Sequence, residues 1–166
     1  MTVIFLEKQL LRVTNLLAQQ LQQLFNHYHQ VFKAQNIDEV LGCYHLPCTL
    51  VTPDRLVVLN NKQAAEVEFK EIFTGINRLG IQSIKASEAS YSVVNENVNE
   101  NIDDAIIMVN IHWQFFTAEG EILADFAALY HIIKNQQQLK IFQVISHENE
   151  QTINLPFSLT LMETIK

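Results

Sequence analysis

Apolar residues recur every three or four positions through the first third of the chain, which is the spacing of one face of an α-helix. The residues that share this face are Leu10, Leu17, Leu21, Leu24, Tyr28 and Val31. Asn36 followed by Glu39 forms a capping box, which predicts that a second, short helix begins there. That helix must end before Pro47, because the residue preceding a proline is disfavoured in the helical region.

The next segment predicts two short strands and a third helix. Residues 49–52 and 55–59 are rich in strand-forming residues, and a Pro-Asp pair between them signals a turn. The third helix is predicted to begin at Asn60 or Asn61 and to stop at Gly80, a residue type that commonly terminates helices. Its apolar stripe consists of Ala65, Phe69, Ile72, Phe73, Ile76 and Leu79.

Four long runs of strand-forming residues follow, at residues 81–94, 105–117, 122–134 and 139–147. Short turns join the last three runs, which predicts an antiparallel meander. The polar stretch at residues 95–101 is predicted to be a hairpin loop. Helices followed by a meander are typical of the α+β class, in which helices cover one face of a sheet.

Length and charge narrow the function classes. The chain has 166 residues and a net charge of −7, and 48% of its residues are hydrophobic. These values predict a single domain over residues 1–166 with a sizeable core. The 11 Lys and Arg residues are scattered, which disfavours a nucleic-acid partner. No segment resembles a signal peptide or a membrane span, so we expect a soluble cytoplasmic protein with no membrane partner.

One segment carries a family resemblance, and it reads Cys43-Tyr44-His45-Leu46-Pro47-Cys48 followed by Val51-Thr52-Pro53-Asp54. The chain runs through a long helix, a short helix ending near Tyr-His-x-Pro, two short strands, a helix and a meander. This order resembles the nuclear-transport-factor-like (NTF2-like) superfamily with the cystatin-like fold. The superfamily includes SnoaL-like polyketide cyclases, ketosteroid isomerase and scytalone dehydratase, and the quoted segment is similar to a bacterial branch without an assigned activity.

The resemblance covers about residues 20–147 and implies both a fold and a partner. It implies a cone-shaped α+β fold in which the N-terminal helices pack on a curved antiparallel sheet that is mixed at its edge. It also implies a homodimer that pairs through the outer face of the sheet. Residues 1–19 then form an N-terminal helix extension, and residues 148–166 form a C-terminal extension that alternates apolar and polar positions.

Alternation along two of the long strands sorts their side chains into two faces. In the first strand Ile107, Val109, Ile111, Trp113 and Phe115 oppose Met108, Asn110, His112 and Gln114. In the next strand Phe126, Ala128, Tyr130 and Ile132 oppose Asp125, Ala127, Leu129 and His131. The polar sets line either the pocket of the cone or a subunit interface, and both alternatives stay open at this point.

The candidate catalytic residues are Asp125 with His112 or His131. A carboxylate beside an imidazole in an apolar chamber can have its pKa moved toward neutrality, which proton transfer requires. Tyr44 or Tyr130 would then donate a hydrogen bond to a developing enolate. The isomerases of the superfamily use a carboxylate base in the same cone, but the first short strand here offers no carboxylate at the expected place.

The candidate pocket residues are Tyr44, Asn110, Trp113 and Tyr130, whose side chains could stack on a flat ligand or donate hydrogen bonds to it. Cys43, His45 and Cys48 are metal-ligand types, but they lack the fourth ligand of a structural site, so no metal is expected. Both cysteines are interpreted as small buried hydrophobic residues. No phosphate-binding loop or dinucleotide motif occurs, so no cofactor is expected either.

Three function hypotheses follow from the sequence. The first is a domain that binds a small apolar molecule in the cone or serves as a dimeric scaffold. The second is a SnoaL-like isomerase, cyclase or dehydratase that works without a cofactor through the Asp125 and histidine pair. The third is a protein-interaction adaptor that uses the first helix and the C-terminal extension. Whether the carboxylate and a histidine meet inside a ligand-sized pocket separates the first two.

Overall fold

The computed structural model describes residues 2–94, 104–136 and 138–148. Its elements are α1 (Thr2–Lys33), α2 (Ile37–Gly42), β1 (Tyr44–Thr52), β2 (Arg55–Leu59), α3 (Lys62–Arg78), β3 (Ser83–Val94), β4 (Asp104–Phe116), β5 (Ile122–Asn135) and β6 (Gln138–Glu148). The element types and their order are those that the sequence predicts. The hairpin loop predicted at residues 95–101 and the C-terminal extension beyond Glu148 lie outside the described residues.

The six strands form one curved, unclosed sheet in the order β2-β1-β6-β5-β4-β3. Neighbouring strands are antiparallel except for β1 and β6, which are parallel. The parallel pair lies near one edge of the sheet, with only β2 beyond it among the described strands. The predicted α+β class with a meander and a mixed edge is therefore confirmed.

Strand β1 begins five residues earlier than the sequence predicts, at Tyr44 instead of Thr49. The cause is a pairing that local sequence does not reveal, since Tyr44 is the partner of Ile141 on β6. Ile141 also donates its backbone N–H to the carbonyl of Cys43 at 2.9 Å. The register shifts between Tyr44 and Thr49, and Pro47, whose peptide bond to Leu46 is cis, lies within this irregular stretch, where a missing N–H is tolerated.

The helix boundaries follow the predicted capping residues. Asn36 caps α2 by accepting a hydrogen bond from the backbone N–H of Glu39 at 3.3 Å, and its amide donates to the Glu39 carboxylate at 3.1 Å. Asn61 caps α3 in the same way by accepting from the N–H of Ala64 at 3.0 Å. Gly80, which follows α3, has a φ of +72°, a value that glycine adopts without a steric penalty.

The core lies between the helices and the concave face of the sheet. From α1 it contains Leu17, Leu21, Tyr28 and Val31, which belong to the predicted helical stripe. The strands contribute the predicted inner set, including Ile107, Ile132 and Tyr130, and Cys43 and Cys48 are buried and free as expected. The predicted assignment of β4 and β5 side chains to two faces is therefore confirmed.

Substitution of Phe69 on α3 tests how much the packing between this helix and the sheet contributes to stability. Phe69 is 1% exposed and packs against Tyr44 and Phe73, with ring centroids 5.4 and 6.2 Å away. Replacing Phe69 by Ala should lower the free energy of unfolding by about 3–5 kcal/mol, because it leaves a cavity at the centre of the core. Urea unfolding followed by circular dichroism measures this loss.

Val67→Ala on the same helix is the matched control, because Val67 is 54% exposed. It should change the free energy of unfolding by less than about 0.5 kcal/mol. Equal effects of the two substitutions would contradict the packing described here.

Candidate functional site

A cavity of about 310 Å³ lies between α1, α3 and the concave face of the sheet. Its wall draws on both helices and all six strands, and most of it is aliphatic or aromatic. Representative wall residues are Phe32, Leu50, Phe69, Ile72, Phe115 and Phe126. The lining residues Thr52 and Arg55 are exposed, which places the mouth of the cavity near the turn between β1 and β2.

Four polar aromatic side chains lie together at the buried end of this cavity. The hydroxyl groups of Tyr28 on α1 and Tyr44 on β1 are 3.0 Å apart. Trp113 on β4 donates its indole N–H to the hydroxyl of Tyr130 on β5 at 3.0 Å. All four residues line the cavity, and none is more than 7% exposed. We call them the hydroxyl cluster.

The phenols of the hydroxyl cluster stay protonated over a wide pH range. Burial raises the pKa of Tyr28, Tyr44 and Tyr130 well above the ordinary value, because it disfavours the charged phenolate. A phenolate at one of these positions would also repel a neighbouring phenolate, which raises the pKa values further. The cluster therefore presents neutral hydroxyl groups.

His29 lies beside the hydroxyl cluster on α1. Its ring stacks on that of Trp113, with centroids 5.9 Å apart and an interplanar angle of 20°. Its Nε2 lies 3.0 Å from the backbone carbonyl oxygen of Ile84. A carbonyl oxygen only accepts hydrogen bonds, so Nε2 carries the proton in this contact. His29 thereby ties α1 to β3 along one wall of the cavity.

An ion pair lies at the mouth of the cavity. Arg55 Nη2 is 2.7 Å from Glu68 Oε2, and the same nitrogen is 3.9 Å from Glu71 Oε2. Glu68 is 7% exposed although it carries a charge, and such a buried carboxylate requires a close cationic partner. The guanidinium of Arg55 supplies that partner, although its side chain remains 52% exposed.

Three of the four predicted pocket residues line the cavity. Tyr44, Trp113 and Tyr130 belong to the hydroxyl cluster. Asn110 does not line the cavity, because it is exposed on the opposite face of β4. The alternation of side chains separates Asn110 from Val109 and Ile111, which are buried in the core.

The predicted pair of Asp125 and His112 meets, but on the outer face of the sheet. His112 Nε2 lies 2.5 Å from Asp125 Oδ1, and His112 Nδ1 lies 2.8 Å from Ser87 Oγ. Gln114 donates its side-chain N–H to Asp125 Oδ2 at 3.1 Å. These residues alternate with the inward-facing Trp113, and none of them lines the cavity. The geometry therefore gives no support to proton transfer by this pair inside the cone.

His131 occupies a second polar network on the same outer face. Its Nδ1 lies 2.6 Å from Gln143 Oε1, and Gln143 donates its side-chain N–H to Thr49 Oγ1 at 3.1 Å. The His131 ring also contacts that of Phe142, with centroids 5.9 Å apart. His131 therefore does not approach the hydroxyl cluster either.

Metal-ligand types do not converge in the described part of the chain. Among those residues, no group of three or more His, Cys, Asp or Glu side chains could hold a metal ion. Burial raises the pKa of Cys48 to about 11 and also raises that of Cys43, so both thiols stay protonated at neutral pH. No described helix is long and apolar enough to cross a membrane.

The sequence did not indicate that His29, Arg55 and Glu68 line the cavity. Their partners are remote, since His29 bonds Ile84 across 55 positions and Arg55 bonds Glu68 across 13. The available signal for Glu68 was its position one residue before Phe69 within the apolar stripe of α3. A charged residue at the edge of a buried stripe indicates a buried ion pair.

Comparison with protein families matches residues 19–149 to the family described as NTF2-like protein (DUF6841). No curated protein matches the chain. Solved structures of low identity share the fold. An NTF2-like protein with a cystatin-like fold from Novosphingobium aromaticivorans has a TM-score of 0.62 and 8% identity, with 92% of each chain covered.

Two further structures give the same result. A protein of unknown function with a cystatin-like fold from Nostoc punctiforme has a TM-score of 0.58 and 9% identity, over 81% of this chain and 92% of that chain. An NTF-2-like protein of unknown function from Shewanella oneidensis has a TM-score of 0.58 and 11% identity, over 79% of this chain and 98% of that chain. These similarities establish the fold but do not identify an activity.

The raised pKa values of the buried tyrosines predict that the protein loses folding stability at alkaline pH. Their folded-state pKa values lie above the unfolded value of about 10. The stability that they contribute is therefore fully present below about pH 10 and is lost as the pH rises toward the folded-state values. After a rapid jump to about pH 11, tyrosinate absorbance from these residues should appear only as fast as far-ultraviolet circular dichroism is lost.

Tyr91→Phe is the control for this experiment, since Tyr91 lies outside the hydroxyl cluster and is 36% exposed. It should leave the amplitude of the slow absorbance phase unchanged. The hydroxyl cluster is wrongly described if all tyrosinate absorbance appears at once while the circular dichroism persists.

Proposed function

Since this chain belongs to the NTF2-like family DUF6841, we propose that it binds a small, largely apolar molecule in the cavity between its helices and its sheet. The main support for this proposal is the size and composition of the cavity. Its volume of about 310 Å³ is at the lower end of the range of about 300–1,000 Å³ that small-molecule sites occupy. It also combines apolar walls with a few convergent polar groups, which is the usual composition of such sites.

Binding is better supported than catalysis because the ionisable groups of the cavity are already engaged. Among the described lining residues, Glu68 is held by the guanidinium of Arg55, and His29 donates to the carbonyl of Ile84. The phenols of the hydroxyl cluster stay protonated, since burial raises their pKa values. Proton abstraction by the Glu68 carboxylate would compete with its ion pair to Arg55.

A homodimer that pairs through the outer face of the sheet is a second proposal. In its favour, that face carries the apolar side chains of Met108 and Leu129, half-buried among the polar networks of His112 and His131. Interfaces that combine apolar patches with satisfied hydrogen bonds are common in soluble oligomers. The adaptor hypothesis, by contrast, rests on the two extensions, and no contact described here favours it.

The dimer is tested by Leu129→Arg, which places a charge in the proposed interface. Sedimentation velocity should then show the monomer, because an unpaired buried charge is costly. Leu56→Arg is the control, since Leu56 is 65% exposed on the edge strand β2, and it should keep the wild-type sedimentation. A wild-type protein that sediments as a monomer at all concentrations would remove this proposal.

Ligand binding is tested with N-phenyl-1-naphthylamine, a neutral apolar fluorescent probe. Trp113 is the only tryptophan of the chain and lines the cavity, so its emission should be quenched as the probe binds. Val144→Phe, a change at a lining residue, should weaken binding about tenfold, because the larger ring overfills the cavity. The titration follows probe and tryptophan fluorescence together.

Two controls decide what a loss of binding means. Val58→Phe makes the same change at an exposed position of β2, and Asp125→Asn alters only the outer face. Both should keep the wild-type affinity within about twofold. The proposal fails if the probe does not quench Trp113, and it fails equally if Asp125→Asn weakens binding as much as Val144→Phe does.

A further inference from the structure

The hydroxyl cluster contains more donor hydrogens than there are hydrogen bonds between its members. Three phenols and one indole contribute four donor hydrogens, but two hydrogen bonds join them. The indole of Trp113 can only donate, so the Tyr130 oxygen accepts in that bond and keeps its own hydrogen. In the bond between Tyr28 and Tyr44 one hydroxyl donates, and the hydrogen of the other is left over.

These two hydroxyl hydrogens have no protein acceptor in the described part of the chain. Within residues 2–94, 104–136 and 138–148, the hydroxyl oxygen of Tyr130 bonds the indole of Trp113 alone, and those of Tyr28 and Tyr44 bond only each other. Each of the three side chains is buried to 93% or more, given exposures of 7% for Tyr28, 6% for Tyr44 and 4% for Tyr130. A buried donor without an acceptor costs free energy, so the site is arranged for an acceptor from outside the protein.

The charge at the site also restricts what that acceptor can be. Among the described lining residues, Arg55 carries the positive charge, and it lies at the mouth, where it is paired with Glu68. The buried end offers neutral hydroxyl groups within an apolar wall. An unpaired carboxylate would be costly to bury there, whereas a neutral oxygen acceptor would not be.

We infer that the ligand carries a carbonyl oxygen on an otherwise apolar skeleton, and that this oxygen accepts a hydrogen bond from the hydroxyl of Tyr130. This inference rests on the proposed function and specifies the chemical class of its ligand. The leftover hydrogen of the Tyr28 and Tyr44 pair supplies a second donor in the same cluster, where the rings of Tyr28 and Tyr130 have centroids 6.1 Å apart. A carbonyl oxygen has two lone pairs, so it can accept from both.

Two naphthalene derivatives of nearly equal shape test the inference. Naphthyl methyl ketone carries the carbonyl group, and isopropenylnaphthalene replaces its oxygen by a methylene group. Each compound displaces N-phenyl-1-naphthylamine from the wild-type protein in a competition titration. The ketone should bind about tenfold more tightly than the alkene, which corresponds to about 1.4 kcal/mol.

Tyr130→Phe and the double variant Tyr28→Phe/Tyr44→Phe assign the donors. Each should reduce the preference for the ketone severalfold, measured as the ratio of the ketone and alkene affinities of the same variant. Tyr91→Phe is the matched control outside the cavity and should keep the full preference. A ketone preference that survives unchanged in both phenylalanine variants would overturn the assignment to these hydroxyls.

Infrared spectroscopy of the bound ketone keeps the test independent of how well the variants fold. With a carbon-13 label at the carbonyl, its stretching band in the wild-type complex should lie below its position in hexane, because a hydrogen bond weakens the C=O bond. A band at the hexane position, or equal affinities of ketone and alkene, overturns the inference while leaving the proposed function intact. If neither compound nor the probe binds, the proposed function itself fails.

Discussion

The contact between Tyr28 and the sheet is the interaction on which the rest of the structure depends. Its ring lies within 6.4 Å, centroid to centroid, of the rings of Phe25, Phe32, Tyr44 and Tyr130. These neighbours belong to the same helix, to the first strand and to the fifth strand, so one side chain joins α1 to distant parts of the sheet. Hydrophobic packing has no preferred direction, but a hydrogen bond does. The hydroxyl contact between Tyr28 and Tyr44 therefore restricts how the helix is oriented on the sheet. The helix is thereby held above the concave face at a fixed position, and the cavity is the space that remains between them.

This arrangement gives the two faces of the sheet different properties. The concave face carries Trp113 and Tyr130, whose rings are largely apolar and whose indole N–H and hydroxyl group form hydrogen bonds. Such side chains suit the wall of a small-molecule site. The outer face carries Asp125 and His112, which bond each other, and His112 also bonds Ser87. These contacts lie away from the cavity. The same alternation that buries Trp113 and Tyr130 therefore keeps Asp125 and His112, the predicted catalytic pair, away from the cavity.

The sequence predicted much of the fold and part of the site, for physical reasons that differ between residues. The period of two along β4 and β5 separated Trp113 from His112 because it is a local property of extended backbone. It could not show which face is concave, since that depends on where α1 packs. The early start of β1 at Tyr44 depends on pairing with β6, almost a hundred residues later. The ion pair of Arg55 and Glu68 likewise forms only once β2 and α3 are in contact.

We propose that a ligand binds in the concave cavity and that the buried hydroxyl groups set its orientation. The most direct test is a crystal structure of the protein grown with naphthyl methyl ketone. We expect electron density for the ketone between α1 and the sheet, with the carbonyl oxygen within hydrogen-bond distance of Tyr130 Oη. Density for the ketone on the outer face beside His112, or in the cavity with its carbonyl directed at Arg55, would contradict it.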